Sequence, residues 1–172
     1  MRFFAVLPPK NELSKRKDRA LKKLCYVCSS GGHWEEALLL QCKLDSIPSL
    51  TVTEHEHGIP ETSRGSVYTF HPLRRTDPLL MLRIPGVFFR SLVLLRREKV
   101  SHVAAFGALL CLPVCLAAKC LRIPVLYVES IARVEDLSLT GKLIYPLADR
   151  FVVQWEELLE RYPKATYRGQ VY

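Results

Sequence analysis

Ser29, Ser30, Gly31, Gly32 and His33 follow one another directly after the apolar run Leu24–Cys28, and WEEALLL, which comes next, reads as the start of a helix. A glycine pair at the carboxyl end of a strand lets the backbone turn tightly and lie close to a ligand. The helix that follows points its first amides and its positive dipole end at the same place. Such a spot suits an anion, above all a phosphate. The same residues would also serve a plain strand-to-helix turn, in which Gly31 and Gly32 relieve the backbone and His33 caps or packs. A lone Gly-Gly lacks the spacing of a full dinucleotide fingerprint. Glu35 and Glu36 fall in the first helical turn, where acids favour the dipole, and read as structural.

Residues of this kind act together only if the fold gathers them. From Lys23 onward strand-like and helix-like segments alternate. Strands are expected at Leu24–Cys28, Leu50–Thr53, Val67–Phe70, His102–Phe106, Ile123–Val128, Phe151–Gln154 and Ala165–Tyr167. Helices are expected from His33 to about Ser46, over 86–97, from the turn at Gly107 to Leu121, near Gly141–Ala148 and over Trp155–Tyr162. This alternation predicts a single Rossmann-like α/β domain with a mainly parallel sheet covered on both faces. Ligands then bind beyond the carboxyl ends of the strands. Independently notable residues do follow strands: SSGGH the first, Gly107 the fourth, Glu129, Ser130 and Arg133 the fifth, and Gln154-Trp155 the sixth. Residues 1–22 read as a basic extension and 23–172 as the domain.

The 172 residues carry a formal charge of +8, and the basicity is regional. Residues 1–23 hold eight Lys or Arg against two acids, and residues 72–99 hold seven against two. In the second region the arginines are embedded in LLMLRIPGVFFRSLVLLRR, without the aromatic and polar interleaving that stacks bases. That mixture favours an anionic membrane surface over nucleic acid. Arg90 and Arg97, seven apart, share a helical face, and Arg83 joins it only if the helix runs through Pro85. Arg83, Phe88, Phe89, Arg90, Arg96 and Arg97 are therefore the candidate membrane surface. The bland alternative is a core helix with a solvated arginine edge.

The six cysteines suggest neither a disulfide frame nor a metal site. Cys25 and Cys28 form a C-x-x-C without a second pair at zinc spacing, and Cys111, Cys115 and Cys120 lie in an apolar stretch, so buried thiols in a reducing compartment are expected. No metal site is expected. MRFFAVLPP is too short for a secretory signal. Val100–Ala118 has the length of a span but is broken by Ser101, His102, Gly107 and Pro113, and reads better as strand, turn and helix.

Three stretches, LCYVCSSGGHWEEALLL, VLYVESIARVEDLSLTGKLIYPLADRFVVQW and ERYPKATYRGQVY, together resemble the asparagine-linked glycosylation protein fourteen family, especially its bacterial exopolysaccharide members of the PssD and CpsF type. The likeness covers nearly all of residues 23–172. It implies the amino-terminal, acceptor-binding half of a split GT-B glycosyltransferase, similar to that of MurG, with the nucleotide-sugar half on a separate donor-binding subunit. The implied reaction moves a sugar from a UDP donor, held mainly by the partner, to a saccharide on a polyprenyl pyrophosphate, with no resident cofactor. On this resemblance Ser29, Ser30, Gly31 and Gly32 would hold the pyrophosphate, and His33 would be the general base. Gly107, Glu129, Ser130 and Arg133 would contact the acceptor or order a loop, with Glu129 and Arg133 paired. Tyr167, Gly169, Val171 and Tyr172 would meet the partner. Peripheral attachment at the cytoplasmic face of a membrane through residues 79–97 is expected. Two other classes stay open: a non-catalytic membrane scaffold that activates a separate transferase, in which His33 is dispensable, and a self-sufficient nucleotide-binding Rossmann enzyme.

Overall fold

A computed structural model describes residues 23–29, 31–44, 46–54, 65–74 and 76–171. The basic extension 1–22, Ser30 and Tyr172 lie outside these residues.

The elements alternate as the sequence implies: β1 (Leu24–Cys28), α1 (Gly32–Lys43), β2 (Ser49–Glu54), β3 (Ser66–Phe70), α2 (Leu80–Arg97), β4 (His102–Phe106), α3 (Cys111–Cys120), β5 (Val125–Val128), α4 (Leu139–Ile144), β6 (Arg150–Val153), α5 (Leu158–Arg161) and β7 (Thr166–Tyr167). The seven strands form one sheet in the order β3-β2-β1-β4-β5-β6-β7, and every pairing is parallel. The Rossmann-like class is therefore borne out. The Val100–Ala118 stretch is β4, a turn and α3. None of the described helices is long and apolar enough to cross a membrane.

The sheet is apolar on both faces, as a parallel sheet covered on both sides must be. Along β1, Cys25 and Val27 join the larger core cluster with residues of α2, α3 and α4. Leu24, Tyr26 and Cys28 join the smaller cluster with Trp34, Ala37 and Leu40 of α1. This is the period-two alternation of a strand. Cys25, Cys28, Cys111 and Cys115 are buried free thiols, and burial pushes all four pKa values up, that of Cys111 to about 12. Cys120, expected to be buried, is exposed because it stands at the solvent end of α3.

Helix α2 differs from the expected 86–97 span. It begins at Leu80 and continues through Pro85. The ring removes one amide, but both Pro85 and Gly86 lie on the exposed side, so packing survives the lost bond. Val87, Ser91, Leu94 and Leu95 make the buried stripe, and the Ser91 hydroxyl donates to the Val87 carbonyl at 2.7 Å.

Candidate functional site

Strand β1 lies between β2 and β4, and the connection after β1 runs to one side of the sheet while that after β4 runs to the other. Crevices at such reversals are where open α/β sheets bind ligands. The turn after β1 and the turn after β4 meet there. Gly31 caps α1 with φ 92°, a left-handed value that suits glycine, and its carbonyl accepts from Trp34 N at 2.9 Å. It offers no side chain to the helix start. A Cβ built on Gly31 or Gly32 meets nothing within 4 Å among the described residues, so the backbone of this turn can be approached.

His33 lies over Gly107. A Cβ on Gly107, itself at φ +54°, would stand 2.2 Å from the His33 Cε1. The glycine therefore makes room for the imidazole. On its other side His33 Nδ1 faces the Glu36 Oε2 at 3.4 Å, with the histidine side chain 24% exposed and that of Glu36 only 2%. Helical spacing of three residues puts the two side chains on one face. The carboxylate favours the tautomer protonated at Nδ1 and leaves Nε2 as the acceptor.

Glu36 is held from below. Gln154, following β6, donates to the Glu36 Oε1 at 2.8 Å and to the Glu129 carbonyl at 3.0 Å. Its own oxygen accepts from Val171 N at 3.0 Å. From the sequence alone Gln154 has no assigned role and Glu36 reads as a dipole acid like Glu35. Glu35 is exposed, whereas Glu36 falls on the buried stripe with Ala37, Leu40 and Gln41. That stripe is the signal that separates the two acids.

Glu129, wholly buried, spends its carboxylate on the loop that follows β5. Oε1 accepts from Ser130 N at 2.9 Å, and Oε2 accepts from the amide and hydroxyl of Ser138, both at 3.0 Å. Burial raises its pKa, while these donors and, through space, Arg133 act against that rise. The expected ion pair with Arg133 is replaced by these loop donors, and Arg133 is exposed. Ser138 caps α4 by accepting from Gly141 N at 2.9 Å, and a Cβ at Gly141 would collide with the Glu129 carboxylate. Trp155 Nε1 donates to the Ile131 carbonyl at 2.6 Å, closing the loop from the β6 side.

The remaining candidates are spread over the molecule. Ser29 is half-buried beside the turn. On α2, Phe89 is exposed, Phe88 packs against the larger core, Arg83 pairs with Asp77 at 2.7 Å, and Arg90 lies over the Phe70 ring at 4.9 Å. Arg97 bonds Tyr68 and Glu98, and Arg96 is exposed. Tyr167 belongs to β7, Gly169 turns the backbone with φ +90°, and Val171 is buried in the smaller core. A cavity of about 490 Å³ lined by Lys23, Gln41, Ser49 and Ser66 lies at the opposite, amino end of the strands.

The family model described as "Oligosaccharide biosynthesis protein Alg14 like" matches residues 79–171. The "UDP-N-acetylglucosamine transferase subunit ALG14" of Homo sapiens is 41% identical over 174 residues, covering 84% of this chain and 81% of that protein. The protein of the same name from Mus musculus is 32% identical over 200 residues, covering 99% and 90%. Among solved structures, MurG of Acinetobacter baumannii superposes with a TM-score of 0.65 at 19% identity, over 79% of this chain and 42% of that one. The last similarity is one of fold, and this chain spans less than half of MurG.

Proposed function

This chain belongs to the Alg14 family, and on that premise we propose that it is the acceptor-binding, membrane-associating subunit of a two-component glycosyltransferase. The donor is UDP-N-acetylglucosamine, as the names of the human and mouse relatives suggest, and is held mainly by a donor-binding partner subunit. The acceptor is a saccharide on a polyprenyl pyrophosphate. No resident cofactor enters this reading.

The single observation that carries it is the seat of His33, between the cleared space at Gly107 and the buried carboxylate of Glu36, one residue beyond an approachable Gly-Gly turn. The turn, with Ser29 and Ser30 beside it, takes the pyrophosphate against the amino end of α1. The acceptor hydroxyl then lies at His33. As the bond from the sugar to UDP breaks and the new glycosidic bond forms, the hydroxyl proton passes to Nε2, and Glu36 stabilises the imidazolium. Gly107, Glu129, Ser130 and Arg133 shape the rim of the acceptor site. Residues 167–172 meet the partner, and α2 rests on the cytoplasmic face of a membrane.

In the reconstituted complex, His33→Ala is expected to lower turnover by about 10²–10⁴-fold with little change in acceptor affinity or assembly. Gly32→Val is expected instead to weaken acceptor binding, because a branched side chain would block the backbone. A near-normal rate for His33→Ala would favour the scaffold reading.

A further inference from the structure

We propose that Gln154 is a positioning residue that ties the segment 168–171 to the His33–Glu36 pair, so that seating of that segment sets the orientation of the base. The proposal rests on the reading of His33 as the base. It extends that reading from the site to its control.

Gln154 and Glu36 are each 1% exposed, so water does not complete their hydrogen bonds. Both amide hydrogens of Gln154 are committed, to the Glu36 Oε1 and to the Glu129 carbonyl, and its oxygen is committed to Val171 N. Reversing the amide would set oxygen against a carboxylate and a carbonyl, and NH₂ against an N–H. The amide therefore has one workable orientation. In that orientation it pins one oxygen of Glu36 and leaves the other to His33 Nδ1.

The connection continues outward. Val171 shares the smaller core with Trp34, the neighbour of His33. Immediately before it, Arg168 and Gln170 are exposed and Gly169 turns the chain. A partner that grips Arg168 and Gln170 thus acts on the peptide whose N–H reaches Gln154. Four residues in line, Val171, Gln154, Glu36 and His33, run from that surface to the acceptor site.

The test uses the full chain with its donor-binding partner, UDP-N-acetylglucosamine and the polyprenyl-pyrophosphate-linked saccharide on which the wild-type complex turns over. Gln154→Leu is expected to lower kcat about 10- to 100-fold while the acceptor KM stays within about twofold. Val171→Pro, which removes the N–H donated to Gln154 and also fixes φ at that position, should fall in the same direction. Val171→Ala keeps the N–H and should lose less kcat than Val171→Pro; this ordering carries the test if Gln154→Leu fails to fold, and equal losses in the two would overturn the proposal. The double variant His33→Ala with Gln154→Leu should be no slower than His33→Ala alone. Nitrogen-detected spectra of the His33 ring in the chain by itself should show one tautomer in the wild type and a mixture in Gln154→Leu. A normal kcat for Gln154→Leu, an equal extra loss in the His33→Ala background, or an unchanged His33 spectrum would overturn the proposal. An active His33→Ala would instead remove the base reading on which it rests.

Discussion

A methyl group at position 107 would take the place of the His33 ring, which makes Gly107→Ala the sharpest single-atom probe of the site. Two costs should appear: about 1–2 kcal/mol for a side chain in the left-handed region, and a further loss from displacing the imidazole. Turnover of the complex should fall at least about 10-fold, as expected when a proton-transfer group moves away. In a His33→Ala background the second cost should vanish, so thermal unfolding of the two single variants and the double variant separates them. Equal destabilisation by Gly107→Ala in both backgrounds would show that the ring is not held where it lies. His33 and Gly107 were each legible in the sequence as residues following strands. That they touch was not, because contact across 74 positions of chain depends on the pairing of β1 with β4. Glu36 was misread for a local reason: Glu35 and Glu36 have the same charge and nearly the same place in the first turn, and only the buried face of α1 tells them apart.

Helix α2 shows the same limit at the scale of an element. Its existence and amphipathic character were legible, but its amino end was not, since Pro85 argues for a break and only the packing of the stripe from Val87 to Leu95 against the core shows that the helix survives it. The outer face carries Leu82, Phe89 and Val93 at helical spacing, 75%, 63% and 66% exposed, with Arg90 and Arg96 beside them. Apolar side chains flanked by cations suit the headgroup boundary of an anionic bilayer. Each basic side chain near such a surface contributes about 1 kcal/mol, so Arg90→Glu with Arg96→Glu should weaken binding to phosphatidylserine vesicles by at least roughly 30-fold. Unchanged co-sedimentation would place the attachment elsewhere. Arg97 is a poorer choice for this experiment, because its bonds to Tyr68 and Glu98 tie it to the edge of the sheet and its loss would disturb β3.

At the scale of the molecule, the parallel sheet followed from the alternation of strands and helices and was the most legible feature, whereas the order of its strands came only from the structure. The sequence reading also implied a division of labour between two proteins, consistent with the word subunit in the names of the human and mouse relatives. The purified chain is therefore expected to give no transfer to a lipid-linked acceptor by itself and to gain it when the donor-binding protein is added, measured with labelled UDP-N-acetylglucosamine. Robust turnover by this polypeptide alone would sink the two-component reading. The arrangement of the sheet has a further consequence for how the protein comes into being on the ribosome. Strand β1 is made early, yet its partner β4 is drawn from residues 102–106, and the supports of the site arrive later still, at Glu129, Gln154 and finally Val171. Such long-range parallel pairing is slow to form and leaves apolar strands uncovered while the chain waits. During synthesis, the segment bearing His33 must remain unfinished, and open to chaperones or to misassembly, until the last of these residues has emerged.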